Sequence, residues 1–362
     1  MSHARSTAVL AILAILGGAA TGALAAPKEP TTPAATGLVC SGNPTVSHRI
    51  DYTVAGHRTF ALYAVPAHRA RGLVLFDHGY TNTPYSWVTH MRNTVEHDGV
   101  IAITPYYHGQ VDFPPAKGST LPSSRGWRVA EGAQDTLYLA RLFEAACGLN
   151  GINAVYGVSM GGNTAGLVAM AGARRPNGSP LFTYVFLVEP AVNVTETYHE
   201  ASAIAPTGNA FAADAKADIA QEMGGTPTQQ PNTYAARTVV LHATDIAAAG
   251  YTGVAVVQGV DDGLVPYNQS REMVAELHAL RVPVEDVTVT TRGSGEPGTT
   301  LTGNAPIPGY TSPFAGHGSE GSNTQPVIMM GFRLLDATYA GHFGCAEGVS
   351  GATFFTTVSD PC

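Results

Sequence analysis

Gly157-Val158-Ser159-Met160-Gly161 sets one serine between two glycines. Just before it runs Ile152-Asn153-Ala154-Val155-Tyr156, and just after it the small residues Asn163-Thr164-Ala165-Gly166-Leu167. The first stretch reads as a buried strand and the second as a helix, so Ser159 would stand on a sharp turn with its hydroxyl projecting. Glycines on either side carry no Cβ and allow strand and helix to approach closely. The helix N-terminus would aim N–H groups and positive dipole at negative charge developing beside the serine. A serine hydroxyl is a poor nucleophile near neutral pH. It needs an imidazole base, and the imidazole needs a carboxylate to set its tautomer and balance its cation. Acid candidates are the pair Asp261-Asp262 in Gly259-Val260-Asp261-Asp262-Gly263-Leu264-Val265-Pro266, and Glu189 at the end of an apolar run. Base candidates are His317 in Ala315-Gly316-His317-Gly318 and His342 in Ala340-Gly341-His342-Phe343.

The elements that must position these groups alternate. Short apolar or β-branched runs predict strands at about 49–54, 59–65, 72–76, 100–104, 152–156, 184–188, 253–258 and 284–291. The run Gly72-Leu73-Val74-Leu75-Phe76 is apolar nearly throughout and reads as a strand buried on both faces. Helices are expected at about 85–97, 129–147, 267–280 and 325–339. In the second of these Leu139, Leu142, Phe143 and Ala146 share a face; in the third Met273, Val274, Leu277 and Leu280 point inward. Residues 105–126, rich in Pro, Gly and Ser, read as a long surface loop. Between about 191 and 249 an alanine-rich stretch interrupts the alternation, with a helix at 210–223 closed by Gly224-Gly225, and looks like a lid or cap insertion. Strand–helix alternation over this length implies an α/β fold with a mostly parallel sheet covered on both faces.

The turn at Gly157–Gly161, the G-x-x-D-x-x-V-P pattern of Gly259–Pro266 after a strand, and the His78-Gly79 turn after an earlier one together resemble signatures of the α/β-hydrolase superfamily, in its secreted, serine esterase- and lipase-like form. The resemblance spans about 49–339 outside the insertion. It implies an α/β-hydrolase fold and a triad in chain order Ser, Asp, His: Ser159 as nucleophile, Asp262 as acid and His317 as base, His317 falling between the last strand and the last helix. It further implies an oxyanion hole of the backbone N–H groups of Met160 and Tyr80. The side chains of Tyr80 and Met160 would then be free to line the pocket. No cofactor and no metal are implied. The expected substrates are small-molecule carboxylic esters, cleaved through an acyl-enzyme. Peptides or amides, acyl transfer, and a non-catalytic binding protein on the same scaffold are the alternatives.

The ends and the composition set the context. Arg5, the apolar 8–20 and Ala23-Leu24-Ala25 read as a signal peptide over 1–25, which points to secretion without a stable membrane anchor. Residues 26–40 form a flexible lead-in, and 41–362 a single domain. The formal charge of −8 and a lysine complement of only Lys28, Lys117 and Lys216 argue against a nucleic-acid partner. Four cysteines in an exported chain suggest two disulfides, with three pairings open. Cys345–Cys362 as a local staple for the C-terminal tail would leave Cys40–Cys147. Asp112-Phe113-Pro114-Pro115 and Trp127 read as loop packing rather than substrate wall, and His90, His97 and His108 lack metal-ligand spacing.

Overall fold

The computed structural model describes residues 37–110, 126–259, 262–289, 317–323, 325–343 and 355–357. The chain runs β1 (His48–Val54), β2 (His57–Ala64), β3 (Gly72–Asp77), α1 (Val88–Asp98), β4 (Ile101–Pro105), α2 (Val129–Cys147), β5 (Ile152–Val158), α3 (Met160–Ala171) and β6 (Tyr184–Val188). It continues through α4 (Val194–Ile204), α5 (Ala210–Met223), α6 (Pro231–Arg237), α7 (Ala243–Ala249), β7 (Gly253–Gly259), α8 (Tyr267–Ala279), β8 (Val284–Val289), α9 (Pro326–Tyr339) and β9 (Phe355–Thr357).

The strands form one sheet in the order β1-β2-β4-β3-β5-β6-β7-β8-β9. From β4 to β8 every neighbouring pair is parallel, while β1, β2 and β9 are joined antiparallel. β3, β4 and β7 are buried along their whole length. Such runs are stable only with helices on both faces. One face is filled by Trp87, just before α1, and Met91 of α1 together with Ile328, Leu334 and Leu335 of α9. The other is filled by Leu139 and Phe143 of α2, Leu167 and Val168 of α3, Ile246 of α7 and Met273 and Leu277 of α8. The insertion between β6 and β7 carries four α-helices. Three of them (α4 to α6) stand beyond the C-terminal ends of the strands, and α7 returns to the core face against α3.

Four expectations are corrected. Ala146, expected on the same face as Leu139, Leu142 and Phe143, is exposed in the last turn of α2. Leu280 is 36% exposed, since α8 has already ended and the chain turns at Arg281 with φ 60°. The stretch after β4 is not a surface loop throughout: Tyr106, Tyr107 and His108 are buried. β8 is not the last strand of the sheet, as three residues near the C-terminus pair with it. That strand is too short to produce a period in the sequence.

Cys40 and Cys147 form a disulfide across 107 residues, tying the segment before β1 to the end of α2. Cys345 and Cys362, like residues 1–25, expected to be a signal peptide, and Asp112–Pro115, lie outside the described residues. Closing so long a loop removes chain entropy from the unfolded state. Replacing both Cys40 and Cys147 by serine should lower stability by about 4 kcal/mol, read as a drop in the urea midpoint.

Candidate active site

Ser159 follows β5 and precedes the first residue of α3. Its backbone is held at φ 59°, ψ −121°, a conformation L-residues rarely adopt. Strain of this kind costs about 1–3 kcal/mol and persists only where the surroundings enforce it. Here they do. The Ser159 N–H donates to Val188 O at 2.9 Å, and its carbonyl accepts from Gly162 N, Asn163 N and Ala191 N. A Cβ on Gly157 would sit 1.9 Å from Gly161 O, and one on Gly161 would sit 2.0 Å from Asp77 O. The two flanking glycines are therefore required by close approach of strand and helix.

β5, β6 and β7 are parallel neighbours, so their C-terminal ends share one edge of the sheet. Ser159 lies after β5, Glu189 after β6 and Asp262 after β7. This is the edge where open α/β sheets collect ligands. His317 is brought there from the segment before α9. Its Nδ1 lies 2.8 Å from Asp262 Oδ2 and 3.5 Å from Glu189 Oε2. Asp262 is oriented by its own turn: Leu264 N and Val265 N donate to Oδ1, each at 2.9 Å. Gln258 Nε2 donates to Oδ2 at 2.9 Å, and Ser270 Oγ in turn donates to Gln258 Oε1. A carboxylate at Nδ1 sets the imidazole with its proton on Nδ1 and its lone pair on Nε2. His342 sits exposed just past the end of α9, away from this cluster, and Asp261 lies outside the described residues.

Two further carboxylates surround His317. Glu189, itself at φ 47°, accepts from Gly318 N with both oxygens, at 2.9 and 3.1 Å. Glu320 accepts from Gly79 N at 3.1 Å and from Asn82 Nδ2 at 2.5 Å, so it ties the histidine segment to the turn after β3. Burial pushes Glu189 up to about 8 and Glu320 to about 7. For His317 burial acts downward, but the negative charge of Asp262, Glu189 and Glu320 outweighs it, and its pKa is raised. Glu189 was legible as an acid at a strand end. Gln258 and Glu320 carry no motif; the only signal for Glu320 is its place three residues after His317.

The turn after β3 lies against Ser159. A Cβ on Gly79 would be 3.5 Å from that of Ser159. His78 is fully buried and stacked on Tyr107 at 4.0 Å, and Tyr107 Oη donates to His78 O at 3.1 Å. Burial lowers His78 to about 4, so it is a neutral structural residue. Tyr80 follows in the turn. Met160 opens α3, in the first turn where N–H groups lack intrahelical acceptors. The Tyr80 side chain lines the pocket as expected. Met160 instead is 0% exposed and packs into the core. Trp127, expected to pack a loop, also lines the pocket. This pocket opens beside Ser159 between the sheet edge and helices α4 and α5.

His90 and His108 are buried core residues. His90 Nε2 lies 3.1 Å from Ser322 O, and His108 Nδ1 lies 3.0 Å from Asp135 Oδ2.

A parallel sheet flanked by helices, with a serine on the turn between β5 and α3, has the α/β-hydrolase fold, and solved structures of that fold superpose on it. A thermostable esterase from Pseudomonas putida matches with TM-score 0.55 and 16% identity, covering 89% of this chain and 88% of that one. Carboxyl esterase 2 of the mycorrhizal fungus Tuber melanosporum matches with TM-score 0.54 and 13% identity, covering 82% and 86%. A puromycin hydrolase matches with TM-score 0.54 and 14% identity over 82% of this chain, which spans only 39% of that protein's length. No family model and no curated protein sequence matches the chain.

Proposed function

We propose that this chain is a serine hydrolase that cleaves carboxylic esters through an acyl-enzyme. The observation that carries the reading is the strained Ser159 at the sheet edge where Asp262 holds His317 by Nδ1. Ser159 Oγ attacks the ester carbonyl carbon while His317 Nε2 takes its proton. Asp262 balances the imidazolium. The N–H groups of Met160 and Tyr80 receive the oxyanion, each such donor contributing about 3 kcal/mol to the barrier reduction. His317 then returns the proton to the leaving alcohol. Water, deprotonated by the same imidazole, releases the acid and restores Ser159. On this reading side chains and backbone amides carry every step. Export fits the Cys40–Cys147 disulfide and the leader-like N-terminus. Among the described residues no helix is long and apolar enough to cross a membrane.

Fluorophosphonate labelling of the purified protein, read by intact mass and peptide mapping, tests the reading. One adduct on Ser159 is expected, and none on Ser159→Ala. Folded protein that takes no label would sink it in favour of a non-catalytic scaffold. Paired 4-nitrophenyl esters and 4-nitroanilides then decide between ester and amide bonds, the second candidate because a puromycin hydrolase shares the fold.

A further inference from the structure

The pocket beside Ser159 is walled mainly by apolar and aromatic side chains, among them Tyr80, Trp127, Ile204, Phe211 and Leu264. One carboxylate lines it as well, that of Glu200 of α4. Glu200 Oε2 is shielded from solvent and has no hydrogen-bond partner among the described residues. The other carboxylates near by each have at least one oxygen engaged, although Glu196 Oε2, which does not line the pocket, is likewise unpartnered among the described residues. Asp218 receives the Tyr80 hydroxyl at 2.6 Å, Glu196 receives Asn268 Nδ2 at 2.6 Å, and Glu222 receives the amides of Val129 and Ala130 at 3.2 and 3.3 Å. An acceptor left without a donor in an apolar wall is costly to keep, and the cost is relieved when a ligand brings the donor. Burial, with the charges of Glu196 and Asp262 behind it, pushes Glu200 up to about 8. The surrounding field selects the sign of that ligand. α4 and α5 together carry Glu196, Glu200, Asp214, Asp218 and Glu222 against the single cation Lys216.

We propose that this pocket binds the acyl part of a substrate carrying a protonated amine, with Glu200 receiving the ammonium group. The substrate class is then aminoacyl esters rather than plain fatty esters, given the reading of Ser159 as nucleophile. An ammonium supplies a charge-assisted hydrogen bond to Glu200, and the aromatic faces of Tyr80 and Trp127 accept a cation better than a carboxylate. A neutral alkyl chain of the same shape fills the walls but leaves Glu200 unpaired.

The test uses two matched pairs of 4-nitrophenyl esters on the full chain. Alanyl is set against isobutyryl, and 6-aminohexanoyl against heptanoyl. In at least one pair the amino ester should exceed its neutral isostere in kcat/KM by about tenfold or more. In Glu200→Gln that preference should collapse to near unity. Equal or inverted ratios in the unmodified protein, or a preference that survives in Glu200→Gln, would overturn the proposal while leaving the hydrolase reading intact. Calorimetry of Ser159→Ala protein with n-pentylamine and 1-pentanol reads the pocket without catalysis. Tighter binding of the amine, lost when Glu200→Gln is added, is expected. Equal binding overturns the proposal. Selective amine binding by a protein that hydrolyses no ester would instead retain the pocket and retire the hydrolase.

Discussion

His317→Ala should lower kcat for an activated ester by roughly four orders of magnitude, with KM little changed. The size follows from the role proposed for the imidazole. Without it Ser159 must lose its proton to water, and the leaving alcohol departs without a proton donor. Binding in the apolar pocket and the oxyanion amides remain, so hydrolysis above the water rate persists. Ser159→Ala should fall to a similar floor. The double variant should fall no further, because nucleophile and base act as one unit and their losses do not add. His342→Ala, by contrast, should retain activity, since that side chain is exposed just past the end of α9. Steady-state kinetics on 4-nitrophenyl acetate, with each variant's thermal midpoint checked, makes the comparison. A loss of activity in His342→Ala with retention in His317→Ala would reverse the assignment of the base.

Asp262→Asn should cost about as much, roughly 10⁴ in kcat, while Glu189→Gln should cost less than about tenfold. Both carboxylates face His317 Nδ1, and the distances decide between them: 2.8 Å is a hydrogen bond and 3.5 Å is not a good one. The Asp262 carboxylate is also fixed by Leu264 N, Val265 N and Gln258 Nε2, whereas Glu189 spends both oxygens on Gly318 N. An asparagine at 262 can present its NH₂ to Nδ1 and favour the wrong tautomer. A glutamine at 189 keeps one acceptor for Gly318 N.

The pH profile separates the two roles further. Only neutral His317 can accept the serine proton, so kcat/KM falls as pH falls through its pKa. The surrounding carboxylates stabilise the imidazolium and raise that pKa, which puts the acid limb above the ordinary imidazole value of about 6.5. Glu189→Gln removes one negative neighbour, so its acid limb should move to lower pH. An unchanged limb would mean that Glu189 holds the segment by Gly318 alone.

Much of this arrangement was legible because local chemistry wrote it. Ser159 was identifiable from its two glycines and the change of period around it, and the clashes at Gly157 and Gly161 show why no other residue fits there. Asp262 was singled out by the resemblance of its G-x-x-D-x-x-V-P turn, and the structure shows why that spacing recurs: the carboxylate satisfies amides two and three residues on. β3, β6 and β7 declared themselves by near-continuous apolar runs, and β5 by an apolar stretch broken only at Asn153. Glu320 was not legible. Its partner Gly79 is 241 residues away, and nothing about a glutamate in a Gly/Ser-rich segment announces a distant amide. Apart from Tyr80, the lining of the pocket was equally hidden, since α4 and α5 are alanine-rich helices whose inward faces carry no motif.

By itself, then, the chain's order of residues determined the strand–turn–helix at Ser159, the acid turn and the alternation that yields a parallel sheet. Each depends on sterics, hydrogen bonds and side-chain periods acting within a few residues. Only the tertiary structure decided which carboxylates gather on His317, that Cys40 meets Cys147, and that Glu200 faces the pocket with its Oε2 unpartnered among the described residues. Those outcomes depend on the order of strands in the sheet. That order sets which chain ends meet at one edge, through contacts between residues tens to hundreds of positions apart that no local pattern encodes.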